Sequence, residues 1–201
     1  MKRLFSLLMI ISAFCAHAQK PNELIIRDYW RSNPSLKDVK QKVKDGHSPK
    51  EFTTAKFDAL VYALLEQQPI NILKYLLKVG NDINQLSHDA RTYLHWAAYK
   101  GNTEFMEYLV TNGAKTDIRD QNGASVLIFS ASTGQRNKAV YELCEKYGLD
   151  FKTDRDRNGR NAILAYARRM QDFEMVDYFV SKGTDLNAKD NDGNGVFHLA
   201  T

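Results

Sequence analysis

Residues 91–117 read RTYLHWAAYKGNTEFMEYLVTNGAKTD and form the clearest unit of a pattern that recurs along the chain. In the second half of this unit, apolar doublets stand at i, i+1, i+4 and i+5, which is one face of an α-helix. Gly113 follows them, where a helix C-terminus needs a residue with a left-handed backbone. The unit therefore predicts a helix that packs through one face and ends just before Gly113.

The same arrangement of doublets and glycine occurs four times in all. Its doublets and glycines are Ile72, Leu73, Leu76, Leu77, Gly80; Phe105, Met106, Leu109, Val110, Gly113; Ala139, Val140, Leu143, Cys144, Gly148; and Met175, Val176, Phe179, Val180, Gly183. Successive glycines are 33 (80 to 113), 35 (113 to 148) and 35 (148 to 183) residues apart. A fixed period of this size is typical of stacked helical repeats.

The unit at 91–117 also carries a specific motif. It matches T-x-L-H-x-A-A-x-x-G and a later Gly-Ala through Thr92, Leu94, His95, Ala97, Ala98, Gly101, Gly113 and Ala114. On these residues the chain resembles the ankyrin repeat family from about Leu24 to its end. The resemblance implies an all-α solenoid of stacked helix-turn-helix units with short β-hairpin loops. Thr92, Ser125 and Asn161 are good N-caps for the first helix of three units.

The repeat pattern divides the chain into three parts. Residues 1–18 are predicted to be a signal peptide, 19–56 a polar N-terminal capping repeat, and 57–201 four ankyrin repeats with a truncated fifth that begins near 190. Because the fifth unit stops within its first helix, we expect the chain to be part of a longer protein. If the stack does end at Thr201, the apolar side of the fourth unit, including Met175 and Phe179, is expected to lose its cover.

The first eighteen residues have the composition of a secretory signal. A basic start is followed by an apolar run and by Ala16-His17-Ala18, which places small residues at the −3 and −1 positions before Gln19. A transmembrane anchor needs about 20 apolar residues, and this run is shorter. A lipoprotein signal is disfavoured because the bulky Phe14 precedes Cys15. The sequence predicts cleavage before Gln19 and a periplasmic or secreted protein, with no stable membrane insertion afterwards.

Charge and cysteine content argue against two classes of protein, nucleic-acid binders and small domains stabilised by disulfides. The chain has 28 Lys+Arg against 24 Asp+Glu and a formal charge of +4, spread over both signs, which does not indicate nucleic-acid binding. After signal cleavage one cysteine, Cys144, remains, so no internal disulfide can form. Cys144 lies in an apolar stripe and is predicted to be a small buried side chain rather than a nucleophile.

Candidate catalytic and metal-binding groups have structural interpretations. In the family, the histidine at the place of His95 ties the motif together through hydrogen bonds. Asp154-x-Asp156-x-Asn158-Gly159 begins like a calcium loop, and so does the run at 190–195, yet Ala165 and Thr201 stand where a calcium loop needs glutamate. Both runs are predicted to be turns between repeats. We expect no cofactor, no metal and no enzymatic activity.

Aromatic residues at repeat spacing allow two interpretations. Tyr62, Trp96 and Phe129 occupy equivalent places in successive first helices, and they are either a binding ladder or core. Core is favoured, because such stripes usually pack. The resemblance implies exposure at the loop tips and just after the Ala-Ala pair. The partner-binding residues predicted there are Arg91, Tyr99, Lys100, Gln121, Asn122, Arg157, Arg160, Arg168 and Arg169.

These observations predict a non-catalytic exported ankyrin-repeat scaffold that mediates protein–protein interaction through its concave face. The alternative is the recognition arm of a longer enzyme or sensor whose active domain lies beyond residue 201. The arginines of the fourth unit suggest a partner with an acidic surface. Neutralisation by the nearby Asp154, Asp156 and Asp172 is the competing interpretation.

Overall fold

The computed structural model describes residues 21–200, and every regular element in that range is helical. An opening unit has a 3-10 turn at Glu23–Ile25, α1 at Arg27–Arg31 and α2 at Leu36–Lys44. Four helical pairs follow: α3 (Ala59–Leu65) with α4 (Ile70–Val79), α5 (Tyr93–Tyr99) with α6 (Thr103–Thr111), α7 (Val126–Ser132) with α8 (Lys138–Lys146), and α9 (Ala162–Tyr166) with α10 (Glu174–Ser181). Short 3-10 turns lie at His88–Ala90 and Ala167–Arg169, and α11 spans Val196–Leu199. The predicted all-α stack is confirmed.

A polar side chain begins the first helix of each pair. The side chains of Asp58, Ser125 and Asn161 accept hydrogen bonds of 2.9, 3.1 and 2.9 Å from the backbone N–H three residues later. Thr92 opens α5 and is hydrogen-bonded to His95. The N-caps predicted from the sequence are therefore confirmed, and Asp58 adds a fourth.

The helices form two rows. First helices pack on first helices, α3 against α5, α5 against α7 and α7 against α9, and the second helices α2, α4, α6 and α8 contact one another in order. The core lies between the rows, where the largest fully buried side chains include Tyr93, Phe105, Tyr141 and Phe179. Cys144 is buried among them as predicted, and burial raises the pKa of its thiol to about 12.

Tight turns connect the pairs and line one edge of the stack. These tips span residues 53–57, 87–91, 120–124, 156–160 and 190–194, and in each the first N–H donates to the fifth carbonyl over 2.9–3.1 Å. Each later tip also donates one backbone hydrogen bond to the tip before it. The donors His88, Gln121, Arg157 and Asn191 reach carbonyls at 2.8–3.0 Å. The loops that were expected to be β-hairpins are instead five-residue turns, and residues 21–200 contain no strand.

The apolar side of the fourth unit is covered, contrary to expectation. Met175 and Phe179 are fully buried. The ring of Phe179 lies 5.0 Å from that of Tyr141 and 5.8 Å from that of Tyr166, measured between centroids. Tyr141 of the third repeat and Tyr166 of α9 therefore cover Phe179 in place of the further repeat that was expected to do so. In α11, Val196 is buried, whereas Phe197 is 75% exposed.

The predicted signal peptide and its cleavage site before Gln19 lie outside the described residues. Within residues 21–200, no helix combines the length and the apolar character that crossing a bilayer requires.

Candidate functional site

The tips and the C-terminal ends of the first helices carry the residues predicted to bind a partner. At the third tip, the N–H of Gln121 donates to Asp89 O at 2.8 Å, and the N–H of Asn122 donates to Asp120 Oδ1 at 2.8 Å. Both side chains are exposed. The tip backbone is therefore fixed by its neighbours while the two amide side chains project into solvent.

Arg91 does not share this exposure, which corrects its predicted place among the open tip residues. Its side chain is only 13% exposed and lies 2.9 Å from Asp89 and 3.3 Å from Asp120. The guanidinium carbon also sits 4.4 Å from the ring centroid of Phe129. Arg91 thus joins the second repeat to the third, because its ion pair and its ring contact both cross that boundary.

The aromatic residues beneath Arg91 belong to the core. Trp96 and Phe129 are buried, with ring centroids 6.0 Å apart, and Tyr62 is partly buried. The core interpretation of this stripe is confirmed. One aromatic residue beside it stays accessible: Tyr99, the last residue of α5, is 37% exposed.

Tyr99 and Lys100 lie together on a fixed loop. The ammonium of Lys100 is 5.4 Å from the Tyr99 ring centroid. The side-chain amide of Gln135 donates to Ala98 O and Tyr99 O at 3.0 Å each. Because these bonds come from the next repeat, the loop that presents Tyr99 has little freedom to move.

The fourth tip holds one of its two arginines internally. Arg160 donates from Nε to Asp156 Oδ2 at 2.8 Å and makes an ion pair of 2.7 Å through Nη2. The Asp156 side chain is 1% exposed. This pair closes the tip, so Arg160 serves the turn, whereas Arg157 beside it is exposed.

Two of the three acidic residues near the predicted arginines are bound to other arginines. Asp154 pairs with Arg119 at 2.7 Å, Asp156 with Arg160, and Asp172 with Arg136 at 2.9 Å. Three exposed arginines remain without an ion pair among residues 21–200, and we call them the arginine face. They are Arg157, Arg168 and Arg169. The competing interpretation therefore holds for Arg160, which Asp156 neutralises, whereas Asp154 and Asp172 pair with arginines outside the predicted set.

His95 has the structural role that was expected. It is fully buried, and its Nδ1 accepts from the Thr92 N–H at 3.3 Å and lies 2.9 Å from Thr92 Oγ1. On the other side, Nε2 lies 3.4 Å from Ala124 O and donates to it in the neutral ring. Burial lowers the pKa of His95 to about 4, so the ring is neutral at pH 7 and links its own N-cap to the next tip.

The two calcium-loop-like runs are turns. Asp156 Oδ1 accepts from the backbone N–H of Asn158 and Arg160 at 2.9 and 3.0 Å, and Asp190 Oδ1 does the same for Asp192 and Asn194 at 3.0 and 2.8 Å. Within residues 21–200, His, Cys, Asp and Glu side chains form no group of three with metal-binding proximity.

Two features of this surface were not predicted. Phe173 is 60% exposed four residues after Arg169, immediately before α10. The available signal was its position, since Asn102 and Asn137 cap α6 and α8 at the equivalent places. Arg136 was also overlooked, although its two carboxylate partners, Asp172 and Glu174, lie about one repeat further along the chain.

A family description, ankyrin repeats, matches residues 35–120, 60–155 and 94–190 in three overlapping copies. The chain belongs to the ankyrin repeat family. The chain is also similar to segments of larger proteins. It is 26% identical over 158 residues to an L-asparaginase of Dirofilaria immitis, covering 79% of this chain and 26% of that protein.

Other relatives share the same segment. Mouse inversin is 27% identical over 141 residues, covering 70% of this chain and 13% of inversin. The phosphocholine transferase AnkX of Legionella pneumophila is 29% identical over 133 residues, covering 65% of this chain and 14% of that protein. The ankyrin-repeat chain therefore spans about a quarter or less of the length of these curated relatives.

Proposed function

We propose that this chain is a non-catalytic, exported scaffold that holds another protein on the surface formed by the tips and the ends of the first helices. The family implies a protein–protein interaction scaffold. The observation that carries the proposal is the arginine face. Among residues 21–200 its members are exposed and have no ion pair, while Asp154, Asp156 and Asp172 pair with Arg119, Arg160 and Arg136.

The chemistry of this face favours an acidic partner. Arginine offers a planar fork of donors that binds carboxylates in pairs, and such contacts steer association. Phe173, four residues after Arg169, and Tyr99, at the end of α5, are exposed aromatic residues. Aromatic and arginine side chains together are the usual composition of binding hot spots.

Export is supported by the basic start, apolar run and Ala16-His17-Ala18 of the N-terminus. N-terminal sequencing of protein recovered from the periplasm or the medium should give Gln19 as the first residue. Material that begins at Met1 would overturn the proposed location while leaving the binding proposal intact.

A second candidate is favoured by the relatives, several of which are named as enzymes and are three or more times longer than the matched segment. In that case this chain is the recognition arm of a longer enzyme or sensor. Reading the coding sequence past residue 201 separates the two, because only the second candidate requires a catalytic domain there.

The binding surface is tested by affinity capture with the mature protein, followed by identification of the bound proteins by mass. The variant Arg157→Glu/Arg168→Glu should lose its partner, and capture by the native chain should fall as salt rises. The matched control is Lys50→Glu/Lys115→Glu, which changes charge equally at two exposed lysines outside the fourth repeat and its tip. Equal capture by both variants, with both folded, would remove the arginine face from the proposal.

A further inference from the structure

The outer row of helices carries a concentration of lysine at its N-terminal end. Together α2 and α4 contain six lysines and one aspartate. The aspartate, Asp38, is occupied by Ser35 at 2.6 Å in the cap of α2, and Lys42 pairs with Glu23 at 2.6 Å. The other five lysines have no ion pair within residues 21–200. They are Lys37, Lys40, Lys44, Lys74 and Lys78.

Some of these lysines border a groove of about 560 Å³ between α2, α4 and α6. Its apolar lining comes from Leu36, Leu77 and Ile83, and its rim from Lys40, Lys74 and Lys78; Tyr75, Tyr108, Asn71 and Asn112 complete it. The groove lies on the second helices, whereas the arginine face lies on the tips and first helices. It is therefore a separate surface.

Aromatic rings, and not carboxylates, hold two of the ammonium groups in place. Lys74 Nζ lies 4.6 Å from the ring centroid of Tyr108, and Lys40 Nζ lies 5.5 Å from that of Tyr75. A ring positions a cation without cancelling its charge. Hence the groove keeps its positive potential together with an apolar lining.

Lysines further along the outer row are arranged differently. Lys138, Lys146 and Lys182 lie 2.9, 3.1 and 2.6 Å from the carboxylates of Glu174, Glu107 and Glu145. The lysine content of the outer helices is thus balanced in the third and fourth repeats and unbalanced around the groove. Solubility alone does not require that difference, since paired lysines also serve it.

We propose that this lysine–tyrosine groove is a second binding site, which takes an acidic peptide segment of a partner protein. The carboxylates of the segment pair with Lys40, Lys74 and Lys78, and its apolar side chains pack on Leu36, Leu77 and Ile83. Leu36, Leu77 and Ile83 are half-buried, so they offer contact area to a peptide side chain but do not project far enough to insert into a bilayer. The apolar lining also gives no advantage to a purely ionic polymer such as polyphosphate, so the peptide is the occupant that uses both parts of the groove.

The test measures fluorescence anisotropy of a labelled ~15-residue peptide with glutamates on one helical face and leucines on the other, long enough to span roughly 22 Å as a helix. The full chain should bind it in low salt. Lys74→Glu/Lys78→Glu should weaken binding about tenfold or more, because two attractive charges become repulsive. The matched control, Lys152→Glu/Lys189→Glu, reverses charge at two exposed lysines outside the groove lining and should bind like the native chain. Lys40→Glu/Lys78→Glu serves as the second groove variant if the first is misfolded by circular dichroism.

Three results would overturn the proposal. Equal losses in the groove and control variants would show attraction to net charge alone. Equal affinity for an all-glutamate peptide would show that the apolar lining is not used. Competition by inorganic polyphosphate or by anionic phosphatidylglycerol vesicles as strong as that of the unlabelled peptide, at equal charge, would assign the groove to another class of anion. None of these measurements uses the arginine face, so the two proposals fail separately.

Discussion

The second repeat is joined to the third, and the third to the fourth, by different chemistry at equivalent places, and we call these boundaries the second joint and the third joint. At the second joint, the neutral ring of His95 connects the Thr92 cap to Ala124 O. At the next joint Ile128 occupies the place of that histidine, and the Ser125 cap instead donates its hydroxyl to Asp154, which Arg119 pairs at 2.7 Å. Both arrangements satisfy an N-cap and bind the following repeat.

This difference shows what the repeat motif determines and what it leaves to the individual repeat. The motif places a polar cap at the start of each first helix. The group that reaches the cap from the next repeat can be a carbonyl, a carboxylate or, at Asp58, the hydroxyl of Tyr93, provided that the buried polar atoms are satisfied. Each joint therefore responds to mutation and to pH in its own way.

The largest effect is expected at the third joint. Phe179→Ala should destabilise the protein by about 3–5 kcal/mol, because Phe179 is fully buried against Tyr141 and Phe151. Urea unfolding measures the loss, and hydrogen exchange should show reduced protection in α8 and α10 but not in α3 and α5. Val180→Ala, at a neighbouring exposed position, is the control. Equal loss of protection along the whole stack would mean that the joints do not act locally.

Two tip arginines provide the next comparison. Arg91→Ala should cost about 3 kcal/mol, since it leaves the buried Asp120 without its cation and uncovers Phe129. Arg160→Ala should cost about 1 kcal/mol less, because it also leaves a buried carboxylate, Asp156, without its cation but removes no ring contact like that of Arg91 with Phe129. Thermal and urea unfolding of both variants decide the order. Equal costs would show that crossing a repeat boundary adds nothing.

Acid should weaken the second joint selectively. The pKa of His95 is about 4 in the folded protein and about 6.5 when unfolded, so the unfolded chain binds the extra proton as pH falls through this window. Stability should drop by about 2 kcal/mol between pH 7 and pH 5 from this group. His95→Leu copies Leu164 of the fourth repeat and should remove that slope. Burial raises the pKa of Asp58, so this group favours the folded state as pH falls, which is the opposite of the effect of His95. Both the native chain and the His95→Leu variant contain Asp58, so its contribution cancels when their pH slopes are compared.

The smallest effect concerns the tips themselves. Ala90 has φ 58° in the second tip, where the third tip has Gly123 at φ 71°. Ala90→Gly should stabilise by about 0.5–1 kcal/mol, because the left-handed backbone costs alanine more than glycine. Gly123→Ala should destabilise, since its added Cβ would lie 3.0 Å from Arg157 N. Opposite signs in paired urea titrations are the expected result, and a loss for Ala90→Gly would contradict the argument.

The helical stack follows from residues close together in sequence, which is why it was predictable. Thr92 and His95 are three residues apart, and the apolar doublets repeat within single helices. The fates of the arginines depend on contacts about one repeat away, such as Arg119 with Asp154 and Arg136 with Asp172. The repeat spacing alone does not predict which carboxylate each arginine pairs with. The sequence therefore predicts exposure for Arg91 and Arg160 as it does for Arg157.

The bonded row of tips determines where the chain tolerates changes in length. The donors His88, Gln121 and Arg157 are 33 and 36 residues apart, yet each bonds the preceding tip in the same manner. Two of the third repeat's three additional residues lie between α7 and α8, and the other lies between α8 and the fourth tip. The tip edge therefore sets the repeat-to-repeat distance, while the far side of the helices absorbs insertions. A foreign loop grafted within residues 133–137 should leave every tip in register, whereas one extra residue inside a tip would shift a donor away from its carbonyl.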